Sequence, residues 1–141
     1  MVNYITNRKS KEEVLGKFEP LVKKWFNQKF NDLTPPQSMA VPLINNHENV
    51  LVSSPTGSGK TLTAFLSILN DFFKRHNENE LETGVHAIYV SPLKALANDI
   101  DRNLKQPLSE MIELAEELEI DVPDIQVAVR SGDTSLKDRA K

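Results

Sequence analysis

The sequence predicts an α/β domain of three layers, in which helices cover both faces of a parallel β-sheet. Three short apolar segments have the composition of strands, at 50–53, 86–90 and 125–129, and segments with helical periodicity lie between them. Strands that alternate with helices favour right-handed crossovers and a parallel sheet. A glycine-rich turn separates the first strand from the next helix. Because three strands make a thin sheet, we expect an incomplete domain.

The N-terminal part of the chain predicts two helical regions. The first covers 10–31, with a break at Pro20, whose ring and missing N–H disfavour a helix interior. The second begins after Thr34, a capping residue followed by prolines that suit a first helical turn, and runs to about residue 45, distorted by Pro42. The apolar face of the first region comprises Phe18, Leu21, Val22, Trp25 and Phe26.

Three further helices are predicted after the glycine-rich turn. The first runs from 60 to about 75, and the others cover 93–104 and 107–118, the last one opened by Pro107. The buried stripe of the first comprises Leu62, Phe65, Leu66, Leu69 and Phe73.

Composition narrows the classes of function. The 141 residues suit one domain, and they contain neither an apolar run long enough for a membrane span nor a signal peptide. Zero cysteines exclude a disulfide framework, an iron–sulfur cluster and a cysteine zinc site, and they fit the cytosol. A net charge of −3 gives no general support for nucleic-acid binding, so we expect any such contact to be local.

Residues 54–61 predict a phosphate-binding loop between a strand and a helix. Backbone N–H groups of such a turn point at an anion, Lys60 can reach the β- and γ-phosphates, and the Thr61 hydroxyl can ligate Mg²⁺. The usual motif opens with glycine, whereas this chain has Ser54. The alternative is a flexible surface loop with a solvated lysine, which the strand–loop–helix context disfavours.

Gln37 is a candidate reader of the nucleotide base. A glutamine amide can pair with N6 and N7 of adenine, as it does in DNA recognition, and would thereby favour ATP over GTP. From the surrounding residues 30–37 alone, a solvated amide in the first turn of a helix is an equally good interpretation.

The order of these segments resembles superfamily 2 DExH-type helicases. Residues 30–37 resemble their Q motif, and their phosphate loop commonly reads Ala/Ser-Pro-Thr-Gly-Ser-Gly-Lys-Thr, which makes Ser54 an expected variant. Residues 89–100 and 129–135 are similar to stretches of the large helicase-related (Lhr) family, with Ser131 in place of its usual threonine.

The resemblance implies a RecA-like P-loop domain that binds ATP with Mg²⁺. It also implies that the domain binds one strand of nucleic acid, with DNA favoured over RNA as the partner. It implies a helical extension at 1–31 and, at 32–141, the N-terminal part of the first RecA-like domain. Lys60 and Thr61 would be catalytic, with Thr61 on the metal. The nucleotide would contact Phe30, Pro35, Gln37, Ser54, Pro55, Thr56, Gly57, Ser58, Gly59, Lys60, Thr61 and Leu62. The strand would contact Ser91, Pro92, Leu93, Lys94, Arg130, Gly132, Asp133 and Thr134.

One part of a helicase is missing from the sequence. The Asp-Glu dipeptide that opens the acidic motif of these enzymes occurs nowhere in the 141 residues. We therefore expect a fragment that is inactive alone, a partner in the second RecA-like domain of the same polypeptide, no membrane partner, and a cytoplasmic or nucleoid-associated location.

Several alternatives stay open at this point. The chain could belong to another P-loop enzyme, such as a kinase or an AAA-type ATPase, or be a module that binds nucleotide or nucleic acid without chemistry. Without the resemblance, Ser91-Pro92 is an ordinary helix cap and Gly132-Asp133 an ordinary turn. Asp99 and Asp101 predict a polar helix face beside Arg102 and Lys105 rather than a metal pair.

Overall fold

The computed structural model describes residues 1–91 and 97–130, and its regular elements are helices. They are α1 (Lys11–Leu15), α2 (Pro20–Lys29), α3 (Pro35–Asn45), α4 (Lys60–Asn77), α5 (Ala97–Ile100) and α6 (Gln106–Glu117). A π-helical turn, Asp101–Lys105, joins α5 to α6 without a break, and we call it the π segment.

Capping residues and prolines set the ends of the N-terminal helices. The Ser10 hydroxyl accepts a hydrogen bond from the Glu13 N–H at 3.1 Å, and the Glu13 carboxylate accepts one from the Ser10 N–H at 2.8 Å. Hydrogen bonds to the carboxylate, first from the Ser10 backbone N–H and then from the Ser10 side chain, favour its ionised form and lower the pKa of Glu13. The predicted break at Pro20 is confirmed, because α2 begins at this residue. Thr34 likewise precedes α3 as predicted.

The hydrophobic core lies between helices from both ends of the chain. Leu15 of α1 and Phe26 of α2 share one buried cluster with Leu66 of α4 and Met111 of α6. The predicted stripe of α4 is buried in full. The boundary predicted between 1–31 and 32–141 stays a prediction, but α1 and α2 contribute to this common core. Within the described ranges, no helix is long and apolar enough to cross a membrane.

The helix predicted to open at Pro107 and to end near 118 is confirmed to within a residue, because α6 runs from Gln106 to Glu117 with Pro107 in its first turn. α6 begins at Gln106 and continues directly from the π segment, where the Gln106 N–H donates to the Asp101 carbonyl, five residues back. A proline ring collides with the carbonyl four residues before it in a regular α-helix. The wider π turn relieves that collision, so the helix passes through Pro107 without a break.

The three predicted strands are not formed in the described part of the chain. Segments 50–53, 86–90 and 125–129 lack β-ladder pairing, and several of their apolar side chains are exposed: Leu51 at 93%, Ile88 at 82% and Val90 at 85%. A parallel strand needs hydrogen-bonded neighbours and a helical layer on each face. Here the helices bury most of their apolar faces against one another, and Ile125 and Val127 of the third segment pack only partly against that cluster.

Candidate nucleotide site

The loop before α4 has the backbone shape of an anion site. Gly57 and Gly59 have φ angles of 76° and 83°, in the left-handed region where glycine is favoured. Gly59 is the N-cap of α4, an 18-residue helix. The first N–H groups of a helix lack intrahelical partners, and the helix dipole places partial positive charge there. The loop therefore offers N–H donors and positive potential to a phosphate.

Two serines close this loop upon itself. The Ser58 hydroxyl donates to the Pro55 carbonyl at 2.7 Å, and the hydroxyl oxygens of Ser54 and Ser58 are 2.5 Å apart. Because Ser58 has a single hydroxyl proton, Ser54 is the donor in the second bond. Ser54 thus supports the loop at the position where the usual motif has glycine. Thr56, between these residues, is exposed.

The Lys60 ammonium group points back into the loop. It donates to the carbonyl oxygens of Ser54 and, at 2.7 Å, of Pro55. Hydrogen bonds between charged groups are stronger than those between an ammonium and a neutral carbonyl. Lys60 is therefore placed to exchange the loop carbonyls for phosphate oxygens without a large change of position.

Gln37 lies directly against the phosphate loop. A Cβ atom built on Gly59 would be 3.1 Å from the Gln37 amide nitrogen and 3.2 Å from the Thr34 hydroxyl oxygen. Gln37 is only 3% exposed, and its side-chain oxygen accepts the Thr34 N–H at 2.8 Å. This bond fixes the amide orientation and leaves the NH₂ group as donor. The amide is thus neither solvated nor free to rotate.

A cavity of about 350 Å³ opens beside this contact. Its lining includes Thr34, Gln37, Gly57, Gly59 and Leu62. Clefts of this size are typical of small-molecule sites. The phosphate loop therefore borders a space in which a base and sugar could lie next to Gln37.

Three other residues predicted to contact the nucleotide differ in how they lie relative to the cavity. Phe30 also lines the cavity, is 36% exposed and packs against Phe26 with ring centroids 4.9 Å apart. Leu62 is mostly buried in the core, so only its edge meets the cavity. Pro35 does not line the cavity; its carbonyl accepts the Ser38 hydroxyl at 3.0 Å within α3.

The remaining cavity wall comes from residues that the sequence reasoning did not assign to the site. They are Trp25 and Lys29 of α2, Asp32 before α3, Arg102 and Asn103 of the π segment, and Gln106, Pro107 and Glu110 of α6. The spacing of residues 102, 106 and 110, and of 25 and 29, is four, which places each set on one helix face. This four-residue spacing is a feature of the sequence from which these cavity residues could have been identified.

Glu110 ties two of these helices together at the cavity rim. Its carboxylate accepts the Trp25 indole N–H at 2.8 Å, the Lys29 ammonium at 2.7 Å and the Gln106 amide at 3.0 Å. Burial acts to raise the pKa of Glu110, but the hydrogen bonds from Lys29, Trp25 and Gln106 outweigh it and lower the pKa. Glu110 is therefore held ionised, and it bridges α2 to α6.

The Thr61 hydroxyl donates to the Asp99 carboxylate at 3.3 Å. Asp101, two residues further on, instead pairs with Lys105 at 2.8 Å. The polar helix face predicted for these acids is thus observed for Asp101, whereas Asp99 turns towards the phosphate loop. Hydroxyl and carboxylate oxygens are the ligand type that Mg²⁺ prefers, so the chemistry at Thr61 fits this ion.

Of the predicted nucleic-acid residues, Ser91 and Arg130 lie in the described part of the chain. Arg130 is exposed, and the Ser91 hydroxyl oxygen is buried with no hydrogen-bond partner among the described residues. The other predicted contacts lie outside the described residues: Pro92, Leu93, Lys94, Gly132, Asp133 and Thr134.

Sequence comparison relates this chain to helicases. Residues 34–136 match the DEAD/DEAH box helicase family. The ATP-dependent helicase Lhr-Core of Saccharolobus solfataricus is 51% identical over 94% of the chain, and that of Methanocaldococcus jannaschii is 46% identical over 99%. The chain spans only 15% and 17% of the lengths of these two relatives.

Structure comparison gives the same relationship. The structure of Mycobacterium smegmatis helicase Lhr bound to ssDNA and AMP-PNP is 42% identical and similar with a TM-score of 0.78, covering 90% of this chain and 16% of that one. The resemblance to the Lhr family is thereby confirmed, as is a RecA-like P-loop fold at the level of the family. With the family match over residues 34–136, this chain belongs to the DEAD/DEAH box helicases.

Proposed function

We propose that this chain is the ATP-binding part of a longer ATP-dependent helicase that acts on nucleic acid, DNA in preference to RNA. The observation that carries the proposal is the close approach of Gln37 to Gly59, where a built Cβ would be 3.1 Å from the amide nitrogen, at a cavity that both residues line. Two further findings support it. The relatives are named ATP-dependent helicases, and the similar structure holds ssDNA and AMP-PNP.

Each loop residue would have a separate task in this function. Gln37 would donate to the adenine ring, the N–H groups at the start of α4 would hold phosphate, and Lys60 would neutralise its charge. Thr61 would ligate Mg²⁺, which when bound neutralises phosphate charge and supports transfer to water. Because Gln37 lies close to Gly59 of the phosphate loop, a base that binds wrongly at Gln37 would also shift the phosphates in the loop.

The longer protein would supply what this chain does not contain. An acidic Asp-Glu motif and a second RecA-like domain would complete the ATP site, since hydrolysis needs a group that orients the attacking water. We further propose that segments 50–53, 86–90 and 125–129 become central strands of the parallel sheet in that protein. The sheet edge would then place Ser91 and Arg130 at the nucleic-acid strand, where they would contact phosphates rather than bases.

Nucleotide binding by the full-length protein tests the first part of the proposal. A fluorescent, non-hydrolysable ATP analogue should bind, and unlabelled ATP should displace it far better than GTP. Lys60→Ala should weaken binding about tenfold to a hundredfold, because it removes charge-assisted hydrogen bonds. Lys74→Ala is the matched control, since Lys74 is exposed in the last turn of the same helix. Equal effects of the two substitutions would refute the assignment of Lys60.

Stimulation of ATP hydrolysis tests the second part. Single-stranded DNA should raise the rate of hydrolysis by the full-length protein more than RNA of the same sequence does. Added salt should reduce the stimulation, because contacts to phosphate depend on counterion release. A hydrolysis rate that neither nucleic acid changes, together with transfer of phosphate to a small molecule, would favour a different P-loop enzyme.

A further inference from the structure

Asp99 and Asp101 lie two residues apart but make different contacts. The Asp101 carboxylate is neutralised by Lys105 at 2.8 Å, one helical turn away. The Asp99 carboxylate accepts the hydroxyl proton of Thr61, 38 residues away in sequence, at 3.3 Å. This is a tertiary contact between α5 and the end of the phosphate loop. Unlike the Asp101–Lys105 pair, it does not follow from the spacing of residues along one helix.

The position of Asp99 is fixed from two sides. The Asn103 side-chain amide donates to the Asp99 carbonyl at 3.0 Å, which anchors the backbone of α5 to the π segment. The π segment in turn packs against α4, the helix that carries Thr61. Asp99 is half-buried, so its charge is only partly screened by water. The backbone that carries Asp99 is therefore anchored, and its carboxylate lies within hydrogen-bond distance of the Thr61 hydroxyl.

A carboxylate in this place bears on the metal that accompanies the nucleotide. Protein-bound Mg²⁺ usually has one or two carboxylates nearby, together with substrate phosphates and retained waters. In the described ranges, no group of three or more His, Asp or Glu side chains converges on one point. Among the described acidic side chains, Asp99 is the one that accepts a hydrogen bond from Thr61.

We propose that Asp99 is a positioning residue for the Mg²⁺ that binds with the nucleotide, an inference that rests on the proposed function. It orients the Thr61 hydroxyl oxygen towards the metal and adds one negative charge to the surroundings of the ion. Partners that orient metal ligands through a hydrogen bond commonly matter about tenfold or more for metal affinity.

The test is the Mg²⁺ dependence of nucleotide binding in the full-length protein. Asp99→Asn should raise the Mg²⁺ concentration for half-maximal binding of the fluorescent ATP analogue about tenfold. Binding of the analogue in EDTA should stay within about twofold of wild type, since a positioning role requires the metal. Asp99→Glu, which keeps the charge, should recover part of the loss. Asp101→Asn is the control and should leave the Mg²⁺ dependence unchanged.

Three other outcomes would contradict the proposal, each for a different reason. An unchanged Mg²⁺ dependence in Asp99→Ala, which removes the acceptor that Asp99→Asn retains, would overturn the role of Asp99 while leaving the proposed function intact. An equal loss of binding with and without Mg²⁺ would show a purely structural contact and would also overturn it. If wild type does not bind the analogue at any Mg²⁺ concentration, the proposed function fails, and the role of Asp99 fails with it.

Discussion

At the scale of single residues, the two glycines of the phosphate loop differ in their surroundings. Gly57 and Gly59 both have positive φ, but a Cβ on Gly57 would meet nothing within 4 Å, whereas one on Gly59 would meet Gln37 and Thr34. Gly57 therefore serves the shape of the turn and has no close neighbour in the protein at that point. Gly59 serves the turn and also allows the close approach of the Gln37 and Thr34 side chains.

This difference predicts unequal effects of the same substitution. Gly59→Ala should cost about 1–2 kcal/mol more stability than Gly57→Ala, because both variants keep a strained left-handed backbone but only the first adds tight contacts with Gln37 and Thr34. Nucleotide affinity should fall further in the Gly59 variant for the same reason. Urea unfolding and titration with the ATP analogue measure the two effects. Equal losses in the two variants would mean that the contact with Gln37 is unimportant.

Gln37 allows a sharper test of base recognition than truncation does. Gln37→Glu keeps an oxygen that can accept the Thr34 N–H but replaces the NH₂ donor with a second oxygen. We expect α3 to stay folded, with nearly unchanged circular dichroism, while the affinity for ATP falls about fivefold to tenfold through loss of one hydrogen bond. Competition between ATP and GTP analogues gives the change in preference. An unaltered preference would show that Gln37 only caps α3.

At the scale of secondary structure, Glu110 makes α2 and α6 depend on each other and on pH. The pKa of Glu110 is lower in the folded protein than its ordinary value of 4.5, so the ionised form stabilises the fold. That stabilisation is complete above the ordinary pKa and is lost as the pH falls through the lower value of the folded state. Because Lys29 is itself 43% exposed, the contribution is modest, on the order of 1 kcal/mol.

Glu110→Gln should therefore lower the free energy of unfolding by about 1 kcal/mol near neutral pH and by almost nothing once the pH is well below 4.5. Urea titrations at a series of pH values follow this difference. Glu113→Gln serves as control, since Glu113 is exposed on the same helix. If the difference in free energy of unfolding between wild type and Glu110→Gln did not change with pH, the effect would come from side-chain packing and not from charge.

Helix ends and buried faces were predictable because their causes are local. The break at Pro20, the cap at Thr34 and the apolar stripe from Leu62 to Phe73 each depend on residues within a few turns. The passage through Pro107 was not predictable, because it depends on the wider turn of the π segment. The loop at 54–61 was identified from its sequence, whereas the contacts of Glu110 and Asp99 join residues far apart in sequence and needed the tertiary structure.

At the scale of the whole molecule, the strand prediction is the largest departure. Apolar composition shows which segments can form strands, but a parallel sheet also requires neighbours that composition does not supply. In this chain the helices form the core, and Leu51, Ile88 and Val90 stay exposed. Exposed apolar segments with unpaired backbone are also sites of self-association.

Hydrogen exchange can distinguish the two states of these segments. In the 141-residue chain, amides of 50–53, 86–90 and 125–129 should exchange almost without protection, while those in the middle of α4, around Leu66 and Leu69, should exchange slowly. In the full-length protein the same three segments should become protected together, because ladder pairing is cooperative across a sheet. The helix amides act as an internal control in both samples. Protection of the three segments in the short chain to the level of α4 would show that the sheet forms without further sequence, and the proposed dependence on a longer protein would then be wrong.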